Sequence, residues 1–234
     1  MWELQMQSDT KEIYIHHHLG LGDHVCFNGL IWYLIKQGGL DKAHVFCKNK
    51  YLSNLKHLYT DNKIQLIPID ENGDEIQIVN QIVEKECGPN KQFMRIGFCP
   101  MPEGIPCDKY FYEISGVPYE ERFDGFRIDR DEKEEQRVFE KLNPLGEDYI
   151  FIHDDINRDG KTIDVDTNYK IIKNDITESI FHYGKVIENA KEFHCIESCI
   201  RCYSEHLDTD GVKLFHHNSV RPCAISSRKE WTTV

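Results

Sequence analysis

The chain predicts an α/β protein built from two Rossmann-like halves. Short β-branched and apolar runs alternate with helical periodicity from residue 13 to residue 96, and a second set of the same kind starts at Tyr149. Between the two sets, Pro144 and Gly146 interrupt the chain. Strands alternating with helices at this spacing pair in parallel through right-handed crossovers.

The stretch from Ile13 to Leu34 reads as strand, glycine turn and helix. Ile13, Tyr14 and Ile15 supply the strand and Gly20-Leu21-Gly22-Asp23 the turn; the helix starts at about His24, with Val25, Leu30, Ile31 and Leu34 at helical spacing. A second strand over 43–47 and a helix-like segment over 51–58 follow. The third strand, 64–69, ends at the turn Asp70 to Gly73. A helix over about 74–86 then carries Ile76, Val79, Ile82 and Val83 on one face, before a short strand at 92–96.

Three prolines and two glycines make 97–106 a loop, 107–115 a short helix bearing Tyr110, Phe111 and Tyr112, and 117–128 extended or irregular. A charged helix, 131–142, turns Val138, Phe139 and Leu142 inward and stops before Asn143-Pro144-Leu145-Gly146, which sets the expected boundary between domains 1–143 and 144–234. The second set opens with the continuous apolar strand 149–153, of the kind buried in parallel sheets. A polar loop with Arg158 and Lys161, a strand at 169–172, a helix at 178–189, a strand at 192–197, a helix at 198–207 and a last strand at 212–216 complete it. The tail after Arg221 carries no pattern.

Composition narrows the partners. A net charge of -12, from 40 acidic against 28 basic residues, argues against nucleic acid or an anionic membrane as the main partner. No apolar run approaches the roughly 20 residues of a spanning helix, and the start lacks the apolar core of a signal peptide. The expected setting is cytoplasmic, with no transmembrane segment. Nine cysteines, mostly within apolar segments (Cys26, Cys47, Cys195), suit reduced buried thiols rather than a disulfide framework.

Three constellations bear on chemistry. In the turn, Gly20 and Gly22 admit close approach of a ligand, the helix start offers unpaired N–H groups, and Asp23 places a carboxylate beside them. Helix capping is the plain alternative for Asp23. The turn matches the dinucleotide fingerprint only in part, because Val25 holds the third glycine position and the second strand ends at Cys47-Lys48 without an acidic ribose ligand. Both departures disfavour a nicotinamide enzyme. At the second constellation, Glu197-Ser198, a strand runs into a helix; Ser198 either caps the helix or joins its N–H groups on a phosphate, and Glu197 accepts from ribose hydroxyls. Third, Arg158 and Lys161 are either solvated or donors to pyrophosphate oxygens.

Other patterns have a structural reading. Asp164 and Asp166 suit a divalent cation on nucleotide phosphates, yet the pair is not decisive. His16-His17-His18 lies on a strand, so its side chains alternate faces. Cys195, Cys199 and Cys202 with His194 approximate zinc-ligand spacing but diverge between strand and helix, and Cys26 falls among apolar residues.

Taken together, H-H-L-G-L-G-D-H (17–24) and V-I-E-N-A-K-E-F-H-C-I-E-S (186–198) resemble nucleotide-sugar glycosyltransferases of the GT-B fold, in particular the heptosyltransferase-like group, glycosyltransferase family nine. The resemblance covers about half the chain in two patches. It implies a compact GT-B protein, with an acceptor-side N-terminal domain facing a donor-binding C-terminal domain across a cleft. Asp23 is then the general base of an inverting transfer and Gly20, Gly22 and His24 the floor; Arg158, Lys161, Glu197, Ser198, His216 and Arg221 meet the donor, with His217 alongside.

The implied partners are a UDP- or GDP-linked sugar, either a deoxyhexose such as rhamnose or fucose or else a heptose, and a glycan hydroxyl. No metal or other cofactor is implied. The chain departs from the family pattern in its shortness, in Glu197 where the family has Asp, and in Cys199-Ile200-Arg201 where the family is glycine-rich. Two alternatives stand beside this reading: a non-catalytic nucleotide- or sugar-phosphate-binding module, and a metal-dependent GT-A enzyme using Asp164 and Asp166. The reading also leaves room for the chain as part of a larger multi-domain enzyme.

Overall fold

The computed structural model describes residues 12–88, 91–155, 162–218 and 225–234. The chain divides into two compact units, 1–129 and 130–234, each with its own parallel sheet.

In the first unit, β1 (Glu12–His16), β2 (Lys42–Lys48), β3 (Ile64–Ile69) and β4 (Lys91–Arg95) lie in the order β3-β2-β1-β4. All pairings are parallel, with Ile13 beside Ala43 on one flank and Gln92 on the other. The connecting helices are α1 (Leu21–Gln37), α2 (Leu52–Leu58) and α3 (Glu75–Glu86). The chain builds outward from β1 to β3 and then returns to β1's other side. The carboxyl ends of β1 and β4 therefore flank the switch point where open α/β sheets bind ligands.

Helix α1 is buried on nearly all sides, from Leu21 and His24 through Ile35. The segment after β4 supplies its outer cover, through α4 (Cys107–Ile114) and α5 (Glu121–Asp124). Phe27 stacks against Phe111 and Tyr112, and Asn28 pairs with the backbone of Arg127 through both amide atoms. The Tyr112 hydroxyl enters the helical ladder itself, accepting from the Leu30 N–H at 3.0 Å and donating to the Cys26 carbonyl at 2.8 Å. Where a side chain inserts in this way, a helix opens locally. The stretch 117–128, expected to be irregular, contains the short turn α5, and its Glu121 carbonyl sits against Gly29 where no Cβ intervenes. Behind it, Arg122 pairs with Asp108 out of solvent, and Tyr119 donates to the same carboxylate.

The second unit orders β5 (Tyr149–His153), β6 (Lys170–Lys173), β7 (Glu192–Cys195), β8 (Lys213–His216) and β9 (Thr232–Thr233) as β6-β5-β7-β8-β9, all parallel. Among its described residues the helices are α6 (Glu132–Leu142), α7 (Gly184–Glu188) and α8 (Cys199–Ser204). The boundary falls between 129 and 130 rather than after 143, because α6 belongs to this second unit. Arg130 ties α6 to α7 through Glu135 and Glu188, and Arg137 and Lys141 both reach Glu178. The continuous helix expected over 178–189 is a 3-10 turn, Ile180–His182, followed by α7; Gly184 starts α7 hard against Arg130 and Glu135.

The tail, patternless in the sequence, is structural. Buried Glu205 accepts from Ser227 Oγ, the Arg228 and Lys229 amides and Trp231 Nε1, which lays β9 along β8. No helix among the described residues is long and apolar enough to cross a membrane. Of the eight described cysteines, Cys26, Cys47, Cys195 and Cys202 are buried.

A methyl group at residue 29 has no room against the Glu121 carbonyl, and both sides of that contact are backbone. Gly29→Ala should therefore lose about 1–3 kcal/mol of stability, read as a lower urea midpoint.

Candidate functional site

Asp23 stands at the β1–β4 switch. Helix α1 begins at Leu21, three residues earlier than its apolar spacing suggested, with Gly20 as N-cap. Asp23 is thus the third helical residue and not the cap. Its carboxylate turns back to accept the Gly20 N–H and its own N–H, as the acidic member of a capping box does. A Cβ at residue 20 would meet the Asp23 carboxylate oxygen, so glycine is what lets the carboxylate fold over the turn. Gly22 is half-buried within the first helical turn.

Burial pushes the Asp23 carboxyl up to about 6, against the opposing pull of His18, the two N–H bonds and Lys48. His18 is exposed, and its Nε2 is 2.7 Å from the Gly97 carbonyl in the turn after β4. Gly97 has φ +89°, and a Cβ there would crowd both His18 and Phe111. The next residue, Phe98, is 37% exposed.

The three consecutive histidines part company. His16 accepts from Arg95 at Nδ1 (3.0 Å), so its Nε2 carries the proton toward Glu75, also at 3.0 Å. Glu75 in turn lies 3.6 Å from Lys48. This run of side chains crosses the carboxyl edge of the sheet from β4 to β2. His17 is fully buried, stacked on Phe27, with burial lowering its imidazole to about 3. His24, expected on the floor of the site, instead packs edge-on to His17 and Tyr59 in the core, where neither ring nitrogen has a hydrogen-bond partner among the described residues. Burial depresses its pKa well below the ordinary range. It is a neutral core residue because α1 starts early and turns position 24 inward.

In the second unit, the order β6-β5-β7 puts the switch between β5 and β7. Glu197 and Ser198 follow β7 there, both buried. Ser198 caps α8 through the Arg201 N–H. Glu197 accepts from Arg201 Nη1 at 2.8 Å and lies 3.6 Å from His216 Nε2, while the Arg201 guanidinium sits 5.3 Å from the Trp231 ring. Burial, with Arg201 and His217 nearby, lowers His216 to about 4, so it is neutral at neutral pH. Glu197, Ser198 and His216 thus come together, with Arg201 and Trp231 as members the sequence did not single out. Their signals were weak: Arg201 is simply four residues after Glu197, and Trp231 lies in the patternless tail.

Arg158, Lys161 and Arg221 lie outside the described residues. Asp164 and Asp166 are exposed. Among the described residues no group of three metal-ligating side chains converges. His194 faces His217 and Glu192 and stacks on Phe215, away from a shared centre with Cys199 and Cys202.

No protein-family model matches this sequence, and no curated protein matches it by sequence. Solved structures do match its fold. The chain is similar to a glycosyl transferase of family 9 from Veillonella parvula (TM-score 0.60, 9% identity), over 97% of its own length and 86% of that protein's. Two parallel-sheet units and this likeness give the chain the GT-B fold. The chain is also similar to TibC, an iron-containing dodecameric glycosyltransferase from enterotoxigenic E. coli (TM-score 0.56, 10% identity), covering 96% of this chain. TibC as the heptosyltransferase in complex with ADP-D-beta-D-heptose gives TM-score 0.55 at 11% identity over 97% of this chain. The chain spans 62% of the length of TibC in both structures.

Two stability effects follow from the geometry. The raised pKa means that the folded state favours the protonated Asp23 carboxyl, so its contribution to stability is full below pH 4 and lost as pH rises through about 6. Asp23→Asn, which needs no charge, should melt above the parent at pH 8, and the gap should close by pH 4. Conversely, Glu197→Gln strands the buried Arg201 charge. That should cost about 3–5 kcal/mol in denaturant unfolding.

Proposed function

We propose that this chain is an inverting, metal-independent glycosyltransferase that moves a sugar from a nucleotide-diphosphate donor to a glycan hydroxyl, with Asp23 as general base. The observation that carries the reading is the half-buried Asp23 carboxyl at the switch point, with its pKa raised to about 6. A base of that pKa is ionised at neutral pH yet strong enough to take a proton as an alcohol attacks. Asp23 removes the acceptor hydroxyl's proton while the oxygen forms its bond to the anomeric carbon, and the nucleoside diphosphate leaves from the opposite face.

The departing diphosphate gathers negative charge, which donors in the second unit offset. In this reading Ser198 and the α8 amides, with Arg158, Lys161 and Arg221, meet the phosphates. Glu197 and His216 line the ribose side. The buried Glu197–Arg201 pair favours a shaping role for Glu197, since its carboxylate already has a cationic partner. TibC's complex with ADP-heptose supports a heptosyl donor and adds ADP to the candidate nucleotides. Rhamnosyl and fucosyl donors linked to UDP or GDP are the other candidates. The two-sheet plan supports GT-B chemistry over the GT-A alternative.

Asp23→Asn should abolish sugar transfer, by at least a hundredfold in turnover, while leaving the melting-temperature rise caused by the nucleotide sugar intact. Near-parental turnover in that variant would remove Asp23 from the chemistry. Transfer should also persist in EDTA; loss on chelation with recovery on adding manganese would establish a metal-dependent route.

A further inference from the structure

Phe98 is a large aromatic side chain held partly in solvent at the carboxyl end of β4, next to the switch point. Its position is built rather than incidental. Gly97 turns the backbone at φ +89°, and the rings of His16 and His18 approach Phe98 at 4.5 Å and 5.1 Å. The Arg95 guanidinium lies 5.9 Å from the Phe98 ring centre. Arg95 is itself fixed, donating from Nε to His16 and from Nη2 to Asn80. Its Nη1 has no hydrogen-bond partner among the described residues.

An aromatic face bordered by charged and polar donors matches the chemistry of a pyranose ring. Such a ring carries C–H bonds on one face, which pack on an aromatic surface, and hydroxyls around its rim, which seek donors and acceptors. The same imidazole that borders Phe98 also acts electrostatically on Asp23. Phe98 follows β4 and Asp23 follows β1, the two strands that flank the switch point, so a sugar stacked on Phe98 is held at the same sheet edge as that carboxylate.

We propose that Phe98 is the stacking platform for the acceptor's sugar ring, with Arg95 as hydrogen-bond donor at its rim. This assignment rests on the glycosyl-transfer reading and narrows it to a pyranose acceptor held by the first unit alone.

The test is saturation-transfer NMR on the full chain with methyl glucopyranoside, galactopyranoside, mannopyranoside and heptopyranoside. In the parent protein, saturation should reach the ring C–H protons of at least one of them. Phe98→Tyr should keep that signal. Phe98→Ala and Phe98→Leu should lower it at least fivefold, and Phe98→Leu keeps the side chain's bulk should the alanine variant fold poorly. Parental signal in a folded Leu or Ala variant, or no transfer to any pyranoside in the parent, overturns the platform. Thermal shifts of the parent with ADP-heptose, GDP-fucose and UDP-rhamnose separate the two levels. A nucleotide-sugar shift without Phe98-dependent pyranoside binding overturns the platform and leaves the glycosyl-transfer reading standing, whereas neither kind of binding overturns both.

Discussion

The carboxylate of Asp23, folded back onto the amide of Gly20 at the start of a buried helix, is the interaction on which the chemistry proposed for the first unit rests. Each part of it has a cause in the chain. Glycine at position 20 leaves the space that the carboxylate occupies. The helix cannot shift to relieve the burial, because Asn28 grips the Arg127 backbone, Gly29 meets the Glu121 carbonyl and the Tyr112 hydroxyl is built into the helical ladder. A rigid start keeps Asp23 half-buried, and the resulting desolvation lifts its pKa into the range a general base needs. Burying the ionised carboxylate costs stability locally, the trade-off the proposed base would require.

The second unit handles its buried charge differently. Glu197 and Arg201 neutralise one another in the interior, with His216 alongside and Trp231 against the guanidinium. Trp231 reaches that position because Glu205 gathers the tail with four hydrogen bonds and β9 extends the sheet. The tail thus belongs to the same neighbourhood as the Glu197-Ser198 junction, and a change in Glu205 would be felt there.

Much of the fold was legible in the sequence. Strands such as 64–69 and 149–153 declare themselves by apolar β-branched runs that local chemistry alone can place. Where the sequence misled, tertiary contact decided the outcome. Over 178–189 a 3-10 turn and the short α7 replace one continuous helix, with Gly184 packed against Arg130 and Glu135. The charged helix α6 joins the second unit through ion pairs with partners more than 30 residues away, which no local break at Pro144 could reveal. At the candidate site, the place of Asp23 beside the glycine turn was readable, whereas the burial of His24 was not, because the helix begins three residues early. Phe98 and Arg95 were invisible as site residues, since their role depends on β4 returning to pair with β1.

The central claim is that the Asp23 carboxyl is both desolvated and the base. Carbon-13 NMR of its carboxyl carbon, set beside the pH dependence of single-turnover sugar transfer, tests the two statements together. The expected result is a carboxyl titration near pH 6 that coincides with the acid limb of the transfer rate. A carboxyl that titrates near pH 4, or an acid limb that does not follow it, contradicts the assignment.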